Sequence, residues 1–103
     1  MIKVGDVIVI DNIVGFVIIS SSTKVDIKFF RDEDFQRLCE LYTSSLNGKS
    51  LNRVLSFINS HCFAIDFKNK KASFKKNELY DCFQFPKYFY FLKYYPVKSN
   101  KND

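Results

Sequence analysis

A chain of 103 residues has the size of one compact domain and leaves no material for a second core. With 47% hydrophobic, 17% aromatic and 26% charged residues, it carries enough apolar surface to offset the entropy of ordering, which excludes global disorder. The 3 Gly, 2 Pro and 3 Cys, and the lack of any apolar run near the roughly 18 residues of a membrane-crossing helix, exclude collagen-like, disulfide-dense and membrane-spanning classes.

Phe (12), Ile (9), Lys (13), Asn (8) and Tyr (6) dominate the composition. That is the bias of an A- and T-rich genome and points to a low-GC bacterium or its phage. Lys outnumbers Arg 13 to 3, and nucleotide bias alone raises lysine, so arginine is the more informative cation for recognition. Cys39, Cys62 and Cys82 are odd in number and widely spaced, as reduced cytosolic thiols are. No charged leader with an apolar stretch and a cleavage site opens the chain, so the expected location is the cytoplasm, that of the host for a phage product.

The net charge of +5 is unevenly distributed. Residues 1–61 carry 7 Lys/Arg against 7 Asp/Glu, and residues 62–103 carry 9 against 4. The C-terminal two fifths therefore suit an anionic partner, whether nucleic acid, an acidic protein face or a membrane surface. A solvated lysine face kept for solubility has the same signature.

Residues 3–30 read as a meander of three strands. The β-branched run Val7-Ile8-Val9-Ile10 lies between Gly5-Asp6 and Asp11-Asn12, which start and stop a strand, and its continuous apolar character predicts burial on both faces. A turn at Asn12-Ile13 leads into Val14-Gly15-Phe16-Val17-Ile18-Ile19, where Gly15 is the expected place for a bulge or bend. After the polar turn Ser20–Thr23, Val25, Ile27 and Phe29 alternate strictly with Lys24, Asp26 and Lys28, the period of a half-buried strand.

The period then lengthens. Asp32, Glu33 and Asp34 place negative charge at a helix N-terminus, and Phe35, Leu38, Cys39 and Tyr42 follow at i, i+3, i+4, i+7. Asn47-Gly48 supplies a stop, and Ser50 a cap for a second helix carrying Leu51, Val54, Leu55 and Ile58. From His61 the period returns to two. Phe63, Ile65 and Phe67 alternate with Cys62, Ala64 and Asp66, Lys68–Lys71 turns, and Ala72–Lys75 completes a hairpin with Phe67 and Phe74 inward. Pro86–Pro96 reads either way: Pro86 at a first helical position favours a helix, its four Tyr and two Phe favour a strand, and a helix is the expectation. Residues 98–103 form a polar, frayed tail of the single 1–103 domain.

Catalysis finds no support in the sequence. His61 is the sole histidine, and on a strand its neighbour Cys62 points the opposite way, so the two make no dyad. There is no CxxC or HExxH spacing for a metal and no glycine-rich loop for a phosphate, so neither metal nor cofactor is expected. Asp32–Asp34 is explained by the helix terminus it occupies.

Two groups stand out. Lys68, Lys70, Lys71, Lys75 and Lys76 form a basic cluster interleaved with Phe67, Phe74 and Tyr80. With those phenylalanines inward, the lysines contact phosphate without reading sequence. Tyr88, Phe89, Tyr90, Phe91, Tyr94 and Tyr95 hold too many rings for one helical face, so Tyr88, Tyr90, Tyr94 and Tyr95 are the candidate protein interface unless they complete the core.

The run Lys3-Val4-Gly5-Asp6-Val7-Ile8-Val9-Ile10, with Gly15-Phe16-Val17 and a third strand ending Ile27-Lys28-Phe29, resembles the opening of KOW and related SH3-like small barrels. The resemblance covers about 28 of 103 residues, lacks the usual glycines between the first two strands, and requires a helical pair inserted before the later strands. It implies a module that binds nucleic acid or a component of transcription or translation, and no enzyme. The fold expected is α+β: a bent antiparallel sheet of about five strands, SH3-like in part, with a helical hairpin inserted between strands three and four. The expected function is nucleic-acid binding with little sequence preference, on host DNA if phage-encoded. The alternative is a phage-type inhibitor or adaptor that binds a host protein through the aromatic C-terminal segment.

Overall fold

The structure, a computed structural model, describes residues 2–47, 53–76 and 92–95. In chain order the elements are β1 (Val7–Ile10), β2 (Ile13–Ser20), β3 (Lys24–Lys28), α1 (Asp32–Ser45), α2 (Arg53–His61), β4 (Cys62–Asp66), β5 (Lys71–Lys75) and β6 (Leu92–Tyr95). The strands form one antiparallel sheet in the order β4-β5-β3-β2-β1-β6. The α+β class and the helical pair between β3 and β4 are as expected. The barrel is not: β4 and β6 stand at opposite edges and the sheet is open.

Local chemistry sets each reversal. Asp11 and Asn12 both have positive φ, 47° and 72°, which the primed two-residue hairpin turn requires and which Asp and Asn tolerate. Ahead of β1, Asp6 N–H donates to the Lys3 carbonyl (3.0 Å) across a turn that holds Gly5 at φ 95°, so this position favours glycine. Between β2 and β3, Ser21 Oγ accepts from the amides of Thr23 and Lys24. Between β4 and β5, Asp66 accepts from the Asn69 amide (3.1 Å) and the Asn69 side chain (2.8 Å).

One face of the sheet and the two helices enclose the core. Alternation sends Ile8, Ile10, Ile13, Val17, Val25, Ile27, Ala72 and Phe74 inward, against Phe35, Leu38 and Leu41 of α1 and Val54, Phe57 and Ile58 of α2. Each large side chain so buried contributes roughly 1.5–3 kcal/mol. The outer side chains of β1, Val7 and Val9, are half-buried, so burial is complete on one face only.

Several expectations are corrected. Gly15 sits in regular register opposite Ile8, and the irregularity in β2 falls between Val17 and Ile19. Glycine is needed at 15 for close approach: a Cβ there would lie 2.9 Å from Phe29 Cε1 and overlap Ile27 Cγ2. His61 ends α2 instead of opening a strand, and α2 passes into β4 without a loop. A bulge at Cys62/Ala64 inserts Phe63, so Cys62 turns to the core and Phe63 becomes exposed, the reverse of simple alternation, while Ile65 packs against the core as expected. Phe67 is likewise exposed instead of inward. Within Pro86–Pro96, Leu92–Tyr95 is a strand paired with β1 and not helix, and the remainder of that segment lies outside the described residues. So do Gly48 and Ser50, the expected helix stop and cap, and the 98–103 tail. Among the described residues no helix is long and apolar enough to cross a membrane.

Candidate nucleic-acid interface

Among the described residues, the helices pack on one face of the sheet, the inner one. On the opposite face, β3 presents Lys24, Asp26 and Lys28, and its neighbour β5 presents Lys75, Ser73 and Lys71 directly across. Two lysine pairs, Lys24 with Lys75 and Lys28 with Lys71, therefore flank a central acidic position. Like charges opposed across strands are destabilising by themselves. Asp26 offsets this in part. Its side chain is buried, accepts a 2.7 Å bond from Ser73 Oγ, and lies 3.7 Å from both Lys24 Nζ and Lys71 Nζ.

The 67–70 turn extends the basic surface past one end of β3. Lys28 Nζ donates to the Asn69 carbonyl (3.1 Å), and Phe29 N–H donates to the Lys70 carbonyl (2.9 Å). These bonds fix the turn against the end of β3 and leave a recess of about 240 Å³ lined by Lys28, Phe29, Phe30, Lys68, Asn69 and Lys70. Acids share this end. Lys70 is ion-paired with Asp32, and Asn69 together with the nearby Lys71 holds the Asp66 carboxyl below its ordinary range.

The five lysines singled out in the sequence therefore have different surroundings. Lys68 and Lys75 are exposed, Lys70 and Lys71 are half-buried beside acids, and all four belong to this surface. Lys76 does not. It is buried, and its ammonium donates 2.7 Å to Ser20 Oγ beside a separate recess lined by Ile2, Lys3, Val4 and Ser20–Ser22. Alternation carries the signal: Ala72, Phe74 and Lys76 share the inward parity of β5, and Lys71, Ser73 and Lys75 the outward one. Lys24 and Lys28, which complete the surface, were legible as the polar face of β3, but their adjacency to β5 is a long-range pairing. Of the candidate protein interface, Tyr95 is half exposed on edge strand β6 and Tyr94 pairs through its backbone with Ile8. Tyr88 and Tyr90 lie outside the described residues.

Among the described residues, His61 and the thiols of Cys39 and Cys62 are partly or fully buried. His61 Nδ1 bonds the Phe57 carbonyl (3.0 Å), its ring stacks on Phe57, and burial lowers its pKa from 6.5. Burial pushes the Cys62 thiol up to about 12 and raises that of Cys39 as well, so both are predominantly protonated at neutral pH. Among the described residues no group of three His, Cys, Asp or Glu is placed to hold a metal. No family model matches the chain, and no curated protein or solved structure matches it.

Proposed function

We propose that this protein is a non-catalytic nucleic-acid-binding module that contacts the phosphate backbone through the face of β3 and β5 opposite α1 and α2 and the adjoining 67–70 turn. The observation that carries this reading is the pair of cross-strand lysine pairs, Lys24 with Lys75 and Lys28 with Lys71. A phosphate backbone neutralises repulsion that Asp26 offsets only in part. Flexible lysines on a sheet face deliver point charge without a base-reading fork, so affinity comes with little sequence preference. The resemblance of the first three strands to KOW-type modules agrees with this class.

The test is fluorescence anisotropy with random-sequence duplex and single-stranded DNA across a salt series. Contacts from Lys24, Lys28, Lys68 and Lys75 predict that the affinity for duplex falls with a log-log slope of about 3–4. Lys28→Gln and Lys75→Gln should each reduce that slope by about one. Salt-insensitive binding, or none at low salt, overturns the proposal.

A further inference from the structure

We infer that the bound polymer is single-stranded at one end of this surface, with bases stacked on Phe30 and Phe67 beside phosphates held by Lys28 and Lys68. This rests on the nucleic-acid reading above and names the form of nucleic acid it takes. Phe30 is 59% exposed and Phe67 is 71% exposed, so both forgo most of the stabilisation a buried ring provides. Phe30 lines the 240 Å³ recess with Lys28 and Lys68, and Phe67 immediately precedes Lys68 in the turn that walls this recess, on the side towards Phe35 of α1.

Both rings are held in position. Phe30 meets Phe16 edge-to-face at 5.1 Å, and Phe67 meets the buried Phe35 edge-to-face at 5.9 Å. Lys28 Nζ lies 5.7 Å from the Phe30 centroid, so one cation accompanies the ring itself. Of the acids at this end, Asp32 is engaged by Lys70, Glu33 by Arg31 and Asp66 by Asn69, while Lys28 and Lys68 line the recess with Phe30. Exposed rings next to cations fit a strand whose bases are unstacked and accessible, because each base offers a π-face while its phosphate meets an ammonium. In a duplex the base faces are occupied by their neighbours, and these rings would gain nothing.

The experiment compares oligothymidine with a random duplex of equal length at one fixed salt concentration, for the wild type and for Phe30→Ala, Phe67→Ala and Phe67→Tyr. Each alanine variant is expected to lose roughly tenfold in affinity for oligothymidine and to stay within about twofold for duplex. Phe67→Tyr is expected to bind oligothymidine as the wild type does. Melting curves confirm that the variants are folded, and Phe30→Leu and Phe67→Leu retain apolar bulk in case either alanine variant is not; the leucine variants should show the same selective loss. Equal losses on both polymers, or unchanged oligothymidine binding in folded ring-deleted variants, overturn the stacking inference and leave the phosphate-binding proposal standing. If the wild type binds neither polymer, both fall.

Discussion

Replacing Gly15 by alanine tests the packing of the sheet at its tightest point. Gly15 is buried in β2, and the added methyl would overlap Ile27 Cγ2 and come within 2.9 Å of Phe29 Cε1, both on fully buried side chains that have no room to retreat. Forcing one carbon into a filled core costs about 1–3 kcal/mol. Stiffening the unfolded chain returns roughly 0.4–1 kcal/mol, so Gly15→Ala should lose about 1–2 kcal/mol net. For a domain of this size that lowers the melting temperature by about 5–15 °C. Urea unfolding should show a lower midpoint at an unchanged slope. Ile27→Ala alone should cost about 2–5 kcal/mol. In the double variant the new methyl occupies space vacated by Ile27, so the combined loss should fall short of the sum by about 1 kcal/mol. A Gly15→Ala protein as stable as the wild type, or strictly additive losses, would refute the close-approach argument.

Three further outcomes follow from the same structure. Asp26→Asn removes the acid between the lysine pairs, so it should lower stability by about 1–3 kcal/mol in urea unfolding while raising affinity for DNA at low salt about threefold; weaker binding by a folded variant would contradict the proposed surface. Cys62 should resist iodoacetamide in the native protein and react only after denaturation, as read by peptide mass spectrometry, because burial holds its thiol at about 12; prompt native labelling would contradict its placement. His61 is held below its ordinary 6.5, so the unfolded chain takes up this proton first: its contribution is full above that value and is lost as pH falls from there through the lowered folded value. The melting temperature should therefore decline less between about pH 7.5 and 5.5 in His61→Phe, which retains a ring to stack on Phe57, than in the wild type. Identical pH slopes would refute this.

Elements governed by local periodicity were readable in the sequence. The strict alternation of Lys24 to Phe29 gave β3 and its faces correctly, and the spacing of Phe35, Leu38 and Tyr42 gave α1. Features set by distant partners were not. That β5, and not β4, lies beside β3 depends on which hairpin strand best covers the core, and no local pattern encodes that choice. The extra residue at Phe63 reversed the faces read from period two for Cys62 and Phe63, and left Ile65 on its expected side. At Phe67 an apolar identity outweighed the signals of the surrounding turn residues. The basic surface was half legible: Lys68, Lys70, Lys71 and Lys75 were found through clustering in sequence, Lys24 and Lys28 required the register, and parity alone could have removed Lys76.

Chemical-shift mapping of a uniformly ¹⁵N-labelled protein titrated with oligothymidine tests the proposed binding surface most directly. Backbone amides of Lys24, Asp26, Lys28, Phe30, Phe67 to Lys71, Ser73 and Lys75 should move together and saturate, with little change at the exposed Gln36, Glu40 and Thr43 of α1. Shifts concentrated on α1 or on β6, or spectra unchanged throughout the titration, would contradict a lysine-lined sheet face as the binding surface.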